Sequence, residues 1–149
     1  MHCPGCGSAS FKRATAHERL EIDSTEFIVE LPSIQCHACH QVFVDGTSLE
    51  QFETRVAEML AQGNYRKTAL ALFLRVLRVS STELGTLLET RGATIDAWET
   101  GTEEMPTAIW RLLSAMLIAQ VRNLPPGRGI SELSRTRLDL PPGQQIQIR

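Results

Sequence analysis

Long apolar runs are missing from this sequence. No stretch approaches the roughly 18 consecutive apolar residues that a membrane-spanning helix needs. The first residues, MHCPGCG, also lack the basic and apolar regions of a signal peptide. We therefore expect no membrane partner and a cytoplasmic location.

An excess of basic residues is missing as well. The 149 residues include 15 basic and 17 acidic side chains, which gives a formal net charge of −2. A nucleic-acid-binding domain is usually distinctly basic. The charge is uneven, however, because residues 1–62 have four basic and nine acidic side chains, whereas residues 106–149 have six and two. Any contact with nucleic acid is therefore expected from the second half of the chain.

A recognisable catalytic arrangement is also absent from the sequence. Serine, histidine and aspartate occur, but not in a context that suggests a nucleophile with a base and an orienting group. No glycine-rich loop that could cradle a phosphate is present. We expect that the protein is not an enzyme, and that it acts by binding.

Cysteine is scarce, but the four cysteines form two pairs that are close in sequence. Cys3 and Cys6 lie in HCPGCGS, and Cys36 and Cys39 lie in QCHACHQ. Cytoplasmic thiols are kept reduced, and two C-x-x-C turns can supply the four thiolates of a tetrahedral site. The spacing predicts a structural Zn²⁺ site, with disulfides or iron as the alternatives.

Three histidines next to these pairs leave the ligand set open. His2 precedes the first pair, and His37 and His40 lie within or beside the second. A site of three cysteines and one histidine is therefore an alternative to a site of four cysteines. Four cysteines already complete a tetrahedral shell, which favours the four-cysteine site.

The segments between and after the cysteine pairs predict a small β unit with one helix. SFKRATAHERLEI and TEFIVELPSIQC predict two antiparallel strands, and VFV at 42–44 predicts a short third one. Thr47 and Glu50 then have the spacing of a capping box at the start of a helix that ends at Gly63. Residues 1–62 are predicted to form a zinc-binding domain. Its core is too small to stand alone, so zinc binding is expected to supply much of its folding free energy.

After a predicted linker at 63–67, the pattern becomes helical throughout. Ser80 and Glu83 form a second capping box, and Gly101 has the position of a C-terminal glycine cap. Residues 68–122 are predicted to form an all-α helix-turn-helix domain, and the fold class is therefore α+β. The apolar residues predicted to face inward are Leu70, Phe73, Leu74, Leu77, Leu84, Leu87, Leu88, Ile95 and Trp98.

This order of features resembles the MqsA-like antitoxins, the family of YgiT-type zinc-finger and Xre helix-turn-helix proteins. The resemblance covers about residues 1–120, and its most specific parts are the cysteine spacing and the ending Trp98-Glu99-x-Gly101 of TIDAWETG. It implies an N-terminal zinc domain that binds and neutralises an mRNA-cleaving toxin. It also implies a C-terminal domain that forms a homodimer and represses the operon by binding operator DNA.

The sequence departs from this family where base-reading residues are expected. Family members commonly have an asparagine and an arginine where this chain has Ala93 and Ala97, and neither alanine can form a bidentate hydrogen bond with a base. Asp96 adds a negative charge to the same helix. Operator binding is therefore expected to be weakened. The polar residues that remain as candidates for DNA contact are Arg78, Ser81, Arg91 and Thr94.

Residues 123–149 extend beyond the part that resembles the family. They contain two LPPG segments, so an extended, partly ordered tail is expected. Arg128, Arg135 and Arg137 form a modest basic cluster, and the alternating QQIQIR could add a strand to the sheet edge of a partner.

Three functions remain open at this point. The first is an antitoxin of a type II toxin-antitoxin system, which binds a toxin and regulates its own operon. The second is a DNA-binding repressor without a toxin partner. The third is a protein-interaction scaffold whose helix-turn-helix domain no longer reads DNA.

Overall fold

The N-terminal part of the chain is a long β-hairpin with a short third strand. Strands β1 (Phe11–Ile22) and β2 (Thr25–Cys36) are antiparallel, and β3 (Val42–Val44) pairs with the end of β2. The prediction of two strands and a short third one is confirmed. The structure is a computed structural model, and it describes residues 1–135, 143 and 145–148.

The turn of the hairpin is tight and contains no glycine. Asp23 and Ser24 have φ angles of 46° and 61°, which is the pattern of a type I′ turn and matches the twist of the two strands. One carboxylate oxygen of Asp23 accepts a hydrogen bond of 3.3 Å from the backbone N–H of Lys67. The tip of the hairpin is thus attached to the segment that precedes the helical part of the chain.

Helix α1 (Gly46–Ala61) follows the hairpin and packs against β2. The side chain of Asp45 caps it by accepting a hydrogen bond from the backbone N–H of Ser48. The predicted capping box at Thr47 and Glu50 is therefore wrong. Asp45 is an equally good cap and lies two residues earlier, so that Thr47 is already inside the first helical turn.

Four further helices form the middle of the chain, namely α2 (Ala69–Leu77), α3 (Ser81–Leu87), α4 (Gly92–Thr100) and α5 (Thr107–Val121). Ser80 and Glu83 form the predicted capping box of α3, and Gly101 ends α4 with a φ of 77°. Both predictions are confirmed. The predicted inward positions are mostly buried, but Leu87 is 68% exposed because it lies on the outer side of the last turn of α3.

One hydrophobic core joins the sheet to the helices. It includes Phe27 and Val29 of β2 together with Phe73 of α2 and Trp110 of α5. The ring of Trp110 stacks on Phe73 at a centroid distance of 4.7 Å and meets the edge of Tyr65 at 5.4 Å. Tyr65 lies in the predicted linker 63–67, so this segment contributes to the core. The predicted domain boundaries remain predictions.

The prolines after α5 predicted an extended tail, but the segment that follows α5 is helical. Residues Pro126–Arg135 form helix α6, which packs against α5. The expectation was wrong here because proline is tolerated in the first helical turn, where its missing N–H would have no helical partner. Gly129 allows the close packing, because a methyl group at this position would overlap the carbonyl group of Ala115.

A short C-terminal strand completes the sheet. Strand β4 (Gln145–Ile148) pairs in parallel with β2, from Glu26↔Gln145 to Val29↔Ile148. The predicted strand therefore exists, but within this chain it pairs with the chain's own sheet. Arg137 and most of the second LPPG segment lie outside the described residues. Among the helices that are described, none has both the length and the hydropathy needed to cross a membrane.

Candidate metal centre

Two similar turns hold the four cysteines. In the first turn, the backbone N–H of Gly7 donates to the carbonyl oxygen of Cys3 over 2.7 Å. In the second turn, His40 donates to Cys36 in the same way over 3.0 Å. Gly7 and His40 both have positive φ angles, of 76° and 63°, which closes each turn. Each C-x-x-C pair therefore presents its two sulfur atoms from one tight loop.

The hairpin brings these two turns together. Phe11 at the start of β1 pairs with Cys36 at the end of β2. The first cysteine turn, which precedes β1, and the second, which follows β2, therefore both lie at the open end of the hairpin. The backbone N–H of His37 also donates to the carbonyl oxygen of Ser10 over 3.0 Å. The continuous pairing of the two strands thus fixes the distance between the two cysteine pairs, which are far apart in sequence.

The four sulfur atoms form one cluster. The Sγ atoms of Cys3 and Cys39 are 3.5 Å apart, those of Cys6 and Cys36 are 3.6 Å apart, and all four lie within 4.8 Å of one another. None of the four cysteines forms a disulfide, which would need an S–S distance of about 2.05 Å. A tetrahedral ion with metal–sulfur bonds of about 2.3 Å requires sulfur–sulfur distances of about 3.8 Å. The cluster therefore fits a tetrahedral metal ion.

The electrostatics of the cluster favour a bound cation. Backbone N–H groups of Cys39 and Ala38 donate to Cys36 and lower the pKa of its thiol to about 6. The Ser8 backbone N–H lowers the pKa of Cys6, but the neighbouring thiol groups and desolvation outweigh it and raise that pKa to about 12. The Gln41 backbone N–H lowers the pKa of Cys39, but the contact with the Cys3 thiol and desolvation outweigh it, so that this pKa is also raised. The raised pKa values keep the thiols of Cys6 and Cys39 protonated at neutral pH without a cation, and a divalent ion would supply the positive charge that favours their thiolates.

The neighbouring histidines are not part of the cluster. Within the described part of the chain, the group of side chains close enough to share a metal ion consists of the four cysteines. His2, His37 and His40 are exposed. A site of four cysteines is therefore preferred to one of three cysteines and a histidine.

The four residues predicted to contact DNA lie around helices α3 and α4. Arg78 ends α2 and Arg91 precedes α4, and both are exposed. Ser81 lies between them, since it lines one shallow depression together with Arg91 and another together with Arg78. Thr94 is half-buried in the first turn of α4 and lines neither depression.

Ser81 already has a strong partner inside the protein. Its hydroxyl group donates a hydrogen bond of 2.6 Å to the carboxylate of Glu99, from α3 to α4. A hydroxyl group has one proton to donate, so Ser81 cannot also donate to a phosphate without breaking this bond. The pair is a link between the two helices, and the sequence pattern did not reveal this partner for Ser81.

The outward side of α4 offers little for base recognition. Ala93 and Asp96 are exposed, and Ala97 is half-buried, while Ile95 and Trp98 are buried in the core. Further exposed acidic residues follow the helix at 103 and 104. Ala93, Asp96 and Ala97 therefore cannot donate hydrogen bonds to bases, and the acidic side chains repel phosphates.

No family model matches this chain, and neither a curated protein nor a solved structure matches it. Its function must therefore be inferred from its own residues. The cysteine cluster is the most informative group of residues, because the fold brings together sulfur atoms that are distant in sequence. Cys3 and Cys39 are 36 positions apart, and Cys6 and Cys36 are 30 positions apart.

Proposed function

We propose that the chain is the antitoxin of a type II toxin-antitoxin system, which binds and neutralises a cognate toxin and also regulates its own operon. The observation that supports this most is the four-cysteine cluster at the open end of an N-terminal hairpin, followed by α1 and the helices α2–α5. This order is the one expected for the MqsA-like family that the sequence resembles. The toxin is expected to be an mRNA-cleaving ribonuclease.

The proposed metal is Zn²⁺, bound by Cys3, Cys6, Cys36 and Cys39. Four thiolates in a tetrahedron suit zinc, and iron is the alternative that such a donor set also accepts. With four protein ligands the coordination shell would be closed, so the metal would stabilise the fold and would not catalyse a reaction. It would hold the hairpin end in shape for the contact with the toxin.

Helices α2–α5 are proposed to form the Xre-like helix-turn-helix domain and to take part in a homodimer. The short connection between α3 and α4 and the bond from Ser81 to Glu99 support this arrangement. DNA contact would depend on Arg78, Arg91 and Thr94, with Ser81 in a structural role. Such contacts position a protein on DNA but add little sequence specificity.

A second candidate function is a protein-interaction scaffold whose helix-turn-helix domain no longer reads DNA. The exposed Ala93 and Asp96 of α4 favour this role, because they offer a methyl group and a negative charge where base recognition needs donors of hydrogen bonds. A repressor that has no toxin partner has less support, since it would depend entirely on this helix.

Co-expression with the product of the adjacent gene tests the proposal. We expect the adjacent product alone to arrest growth, and we expect this chain to relieve the arrest and to copurify with it. The variant Cys36→Ser should lose this relief, whereas His37→Asn, next to it but outside the cluster, should keep it. Failure of the two proteins to form a complex, with no relief of growth arrest, would exclude the antitoxin function.

Gel retardation with the chain's own promoter fragment distinguishes the roles of the helical part. Regulation of the operon predicts retardation at moderate salt that weakens steeply as salt increases and that Arg78→Ala with Arg91→Ala abolishes. The scaffold function predicts no sequence-dependent retardation, together with a stable protein partner bound through residues 66–149.

A further inference from the structure

Each exposed cysteine of the cluster lies next to a buried cysteine of the other turn. Cys6 and Cys39 are exposed, whereas Cys3 and Cys36 are only 2% and 0% exposed. The Sγ atoms of Cys6 and Cys36 are 3.6 Å apart, and those of Cys39 and Cys3 are 3.5 Å apart. The cluster therefore contains two pairs, each made of one accessible and one buried cysteine, and both pairs cross from one turn to the other.

The backbone holds the two turns together independently of a metal. Phe11 pairs with Cys36 at the open end of the hairpin, and the backbone N–H of His37 donates to the carbonyl oxygen of Ser10. Strand β2 is also anchored in the hydrophobic core that it shares with the helices. The two turns therefore remain neighbours when the metal leaves, so that cysteines of different turns can still react with each other.

A bound metal ion and disulfides between these pairs exclude each other. A tetrahedral site needs sulfur atoms about 3.8 Å apart, whereas a disulfide brings two sulfur atoms to about 2.05 Å. The metal ligand is the thiolate, and a sulfur atom in a disulfide no longer has this charge. The four cysteines therefore have two alternative closed states, one with a metal ion and one with two disulfides.

We propose that the cluster is a peroxide-sensitive switch, in which hydrogen peroxide joins Cys6 to Cys36 and Cys39 to Cys3 and so releases the metal. Redox-sensing cysteines are accessible to the oxidant and lie next to a second cysteine that converts the oxidised one into a disulfide, and both pairs have this arrangement. The switch acts on the hairpin end that is proposed to contact the toxin, and in this respect it rests on the proposed function. Its chemistry depends only on the metal site.

The reaction has two steps at each pair. The thiolate of Cys6 attacks one oxygen atom of the peroxide, the O–O bond breaks, and the products are a sulfenic acid and, after uptake of a proton, water. The thiolate of Cys36 then attacks the sulfur atom of the sulfenic acid, whose hydroxide takes up a proton and leaves as a second water molecule. Cys39 and Cys3 react in the same way. Four thiolates, two peroxide molecules and four protons thus give two disulfides and four water molecules, with release of the metal ion.

Peptide mapping of the zinc-loaded full chain tests the proposal. Trypsin cleaves after lysine and arginine, so the two turns lie on separate peptides, 1–12 and 20–55. We expect hydrogen peroxide to release the bound zinc, as followed with a metal-sensitive dye, and to join these peptides through Cys6–Cys36 and Cys3–Cys39, as assigned by fragmentation in the mass spectrometer. A thiol reductant with added zinc should restore the starting state.

Two other products would overturn the proposal. Disulfides within each turn would leave the two peptides separate, and zinc release with sulfinic acids would leave no disulfide at all. A mixture of ¹⁵N-labelled and unlabelled chain shows whether the disulfides form within one chain, since joined peptides should then carry a single isotope. Joined peptides of mixed isotope would also contradict the switch. The mapping needs no toxin, so a failure of the switch is distinguishable from a failure of the antitoxin function.

A variant tests whether the fold fixes the two pairs. Cys36→Ser removes the buried partner of Cys6, so Cys6 should accumulate as a sulfinic acid under peroxide, while Cys39 still forms its disulfide with Cys3. The matched control is His37→Asn, at the exposed neighbouring position, which should give the same two disulfides as the unchanged chain. A disulfide from Cys6 to Cys3 or Cys39 in the Cys36→Ser variant would show that the pairs are not fixed, and would overturn the proposal.

Discussion

The hydroxyl group of Ser81 donates a 2.6 Å hydrogen bond to the carboxylate of Glu99 and so joins helix α3 to helix α4. Leu84 of α3 and Ile95 of α4 are both buried in the hydrophobic core. The two helices are therefore held both by the core and by a polar pair at its side. A phosphate-binding role for Ser81 would have to break this bond.

Loss of this hydrogen bond should destabilise the protein. We expect Ser81→Ala to lower the free energy of unfolding by about 1–2 kcal/mol, because the bond has a charged acceptor and is partly buried. Thr82→Ala, at the neighbouring exposed position, should change it by less than about 0.5 kcal/mol. Urea denaturation measures both. Equal effects of the two substitutions would show that the Ser81–Glu99 bond does not link the helices.

Metal content should depend on all four cysteines. We expect about one zinc ion per chain, and we expect Cys3→Ser or Cys39→Ser to lower this content and the Tm together. His37→Asn and His40→Asn should leave both unchanged, since neither histidine belongs to the cluster. Elemental analysis and thermal unfolding with and without a chelator provide the measurement. A histidine variant that loses its metal would indicate a mixed ligand shell instead.

In the metal-free protein, Cys36 and Cys6 should contribute to stability in opposite pH ranges. The pKa of Cys36 is lowered from its ordinary value of 9.0 to about 6, so its contribution is present above pH 9 and is lost as the pH falls through 6. The pKa of Cys6 is raised from 9.0 to about 12, so its contribution is present below pH 9 and is lost as the pH rises towards 12. Urea denaturation of the chelated protein at a series of pH values gives the profile. The zinc-loaded protein is the control, and its free energy of unfolding should not decrease above pH 9 in the same way, because its thiolates are bound to the metal.

The contact between α5 and α6 should not tolerate a side chain at Gly129. We expect Gly129→Ala to lower the free energy of unfolding by about 1–3 kcal/mol, since the added methyl would overlap the Ala115 carbonyl and lie 3.1 Å from Cβ of Ala119. Gly127→Ala is the matched control in the same helix, because nothing lies within 4 Å of its added methyl, and it should be neutral or slightly stabilising. Chemical denaturation compares the two. Similar stabilities would mean that α6 does not pack closely on α5.

A glycine in the hairpin turn should stabilise the sheet. Ser24 has a φ of 61°, which is unfavourable for a residue with a side chain and favourable for glycine in a type I′ turn. We expect Ser24→Gly to raise the free energy of unfolding by about 0.5–1 kcal/mol, as measured by urea denaturation. Ser24→Ala should give no gain, because alanine has the same steric conflict. If both substitutions stabilised the protein, the cause would not be the backbone conformation of the turn.

Local patterns in the sequence determined most of the secondary structure. Alternating apolar residues predicted the three N-terminal strands, and the spacing of Ser80 and Glu83 predicted the start of α3. These features depend on residues close together in the chain, so short-range stereochemistry is sufficient. The cysteine spacing likewise indicated a shared metal site before any geometry was known.

Only the tertiary structure decided which distant residues meet. The strand register places the first cysteine pair beside the second, and the helix packing pairs Ser81 with Glu99. The sequence also suggested an extended tail, whereas packing on α5 favours a helix that begins at Pro126. Strand β4 shows most clearly what the sequence alone could not predict. Its alternation predicted a strand, but the choice of β2 as its neighbour depends on a free edge that exists only once the hairpin has folded.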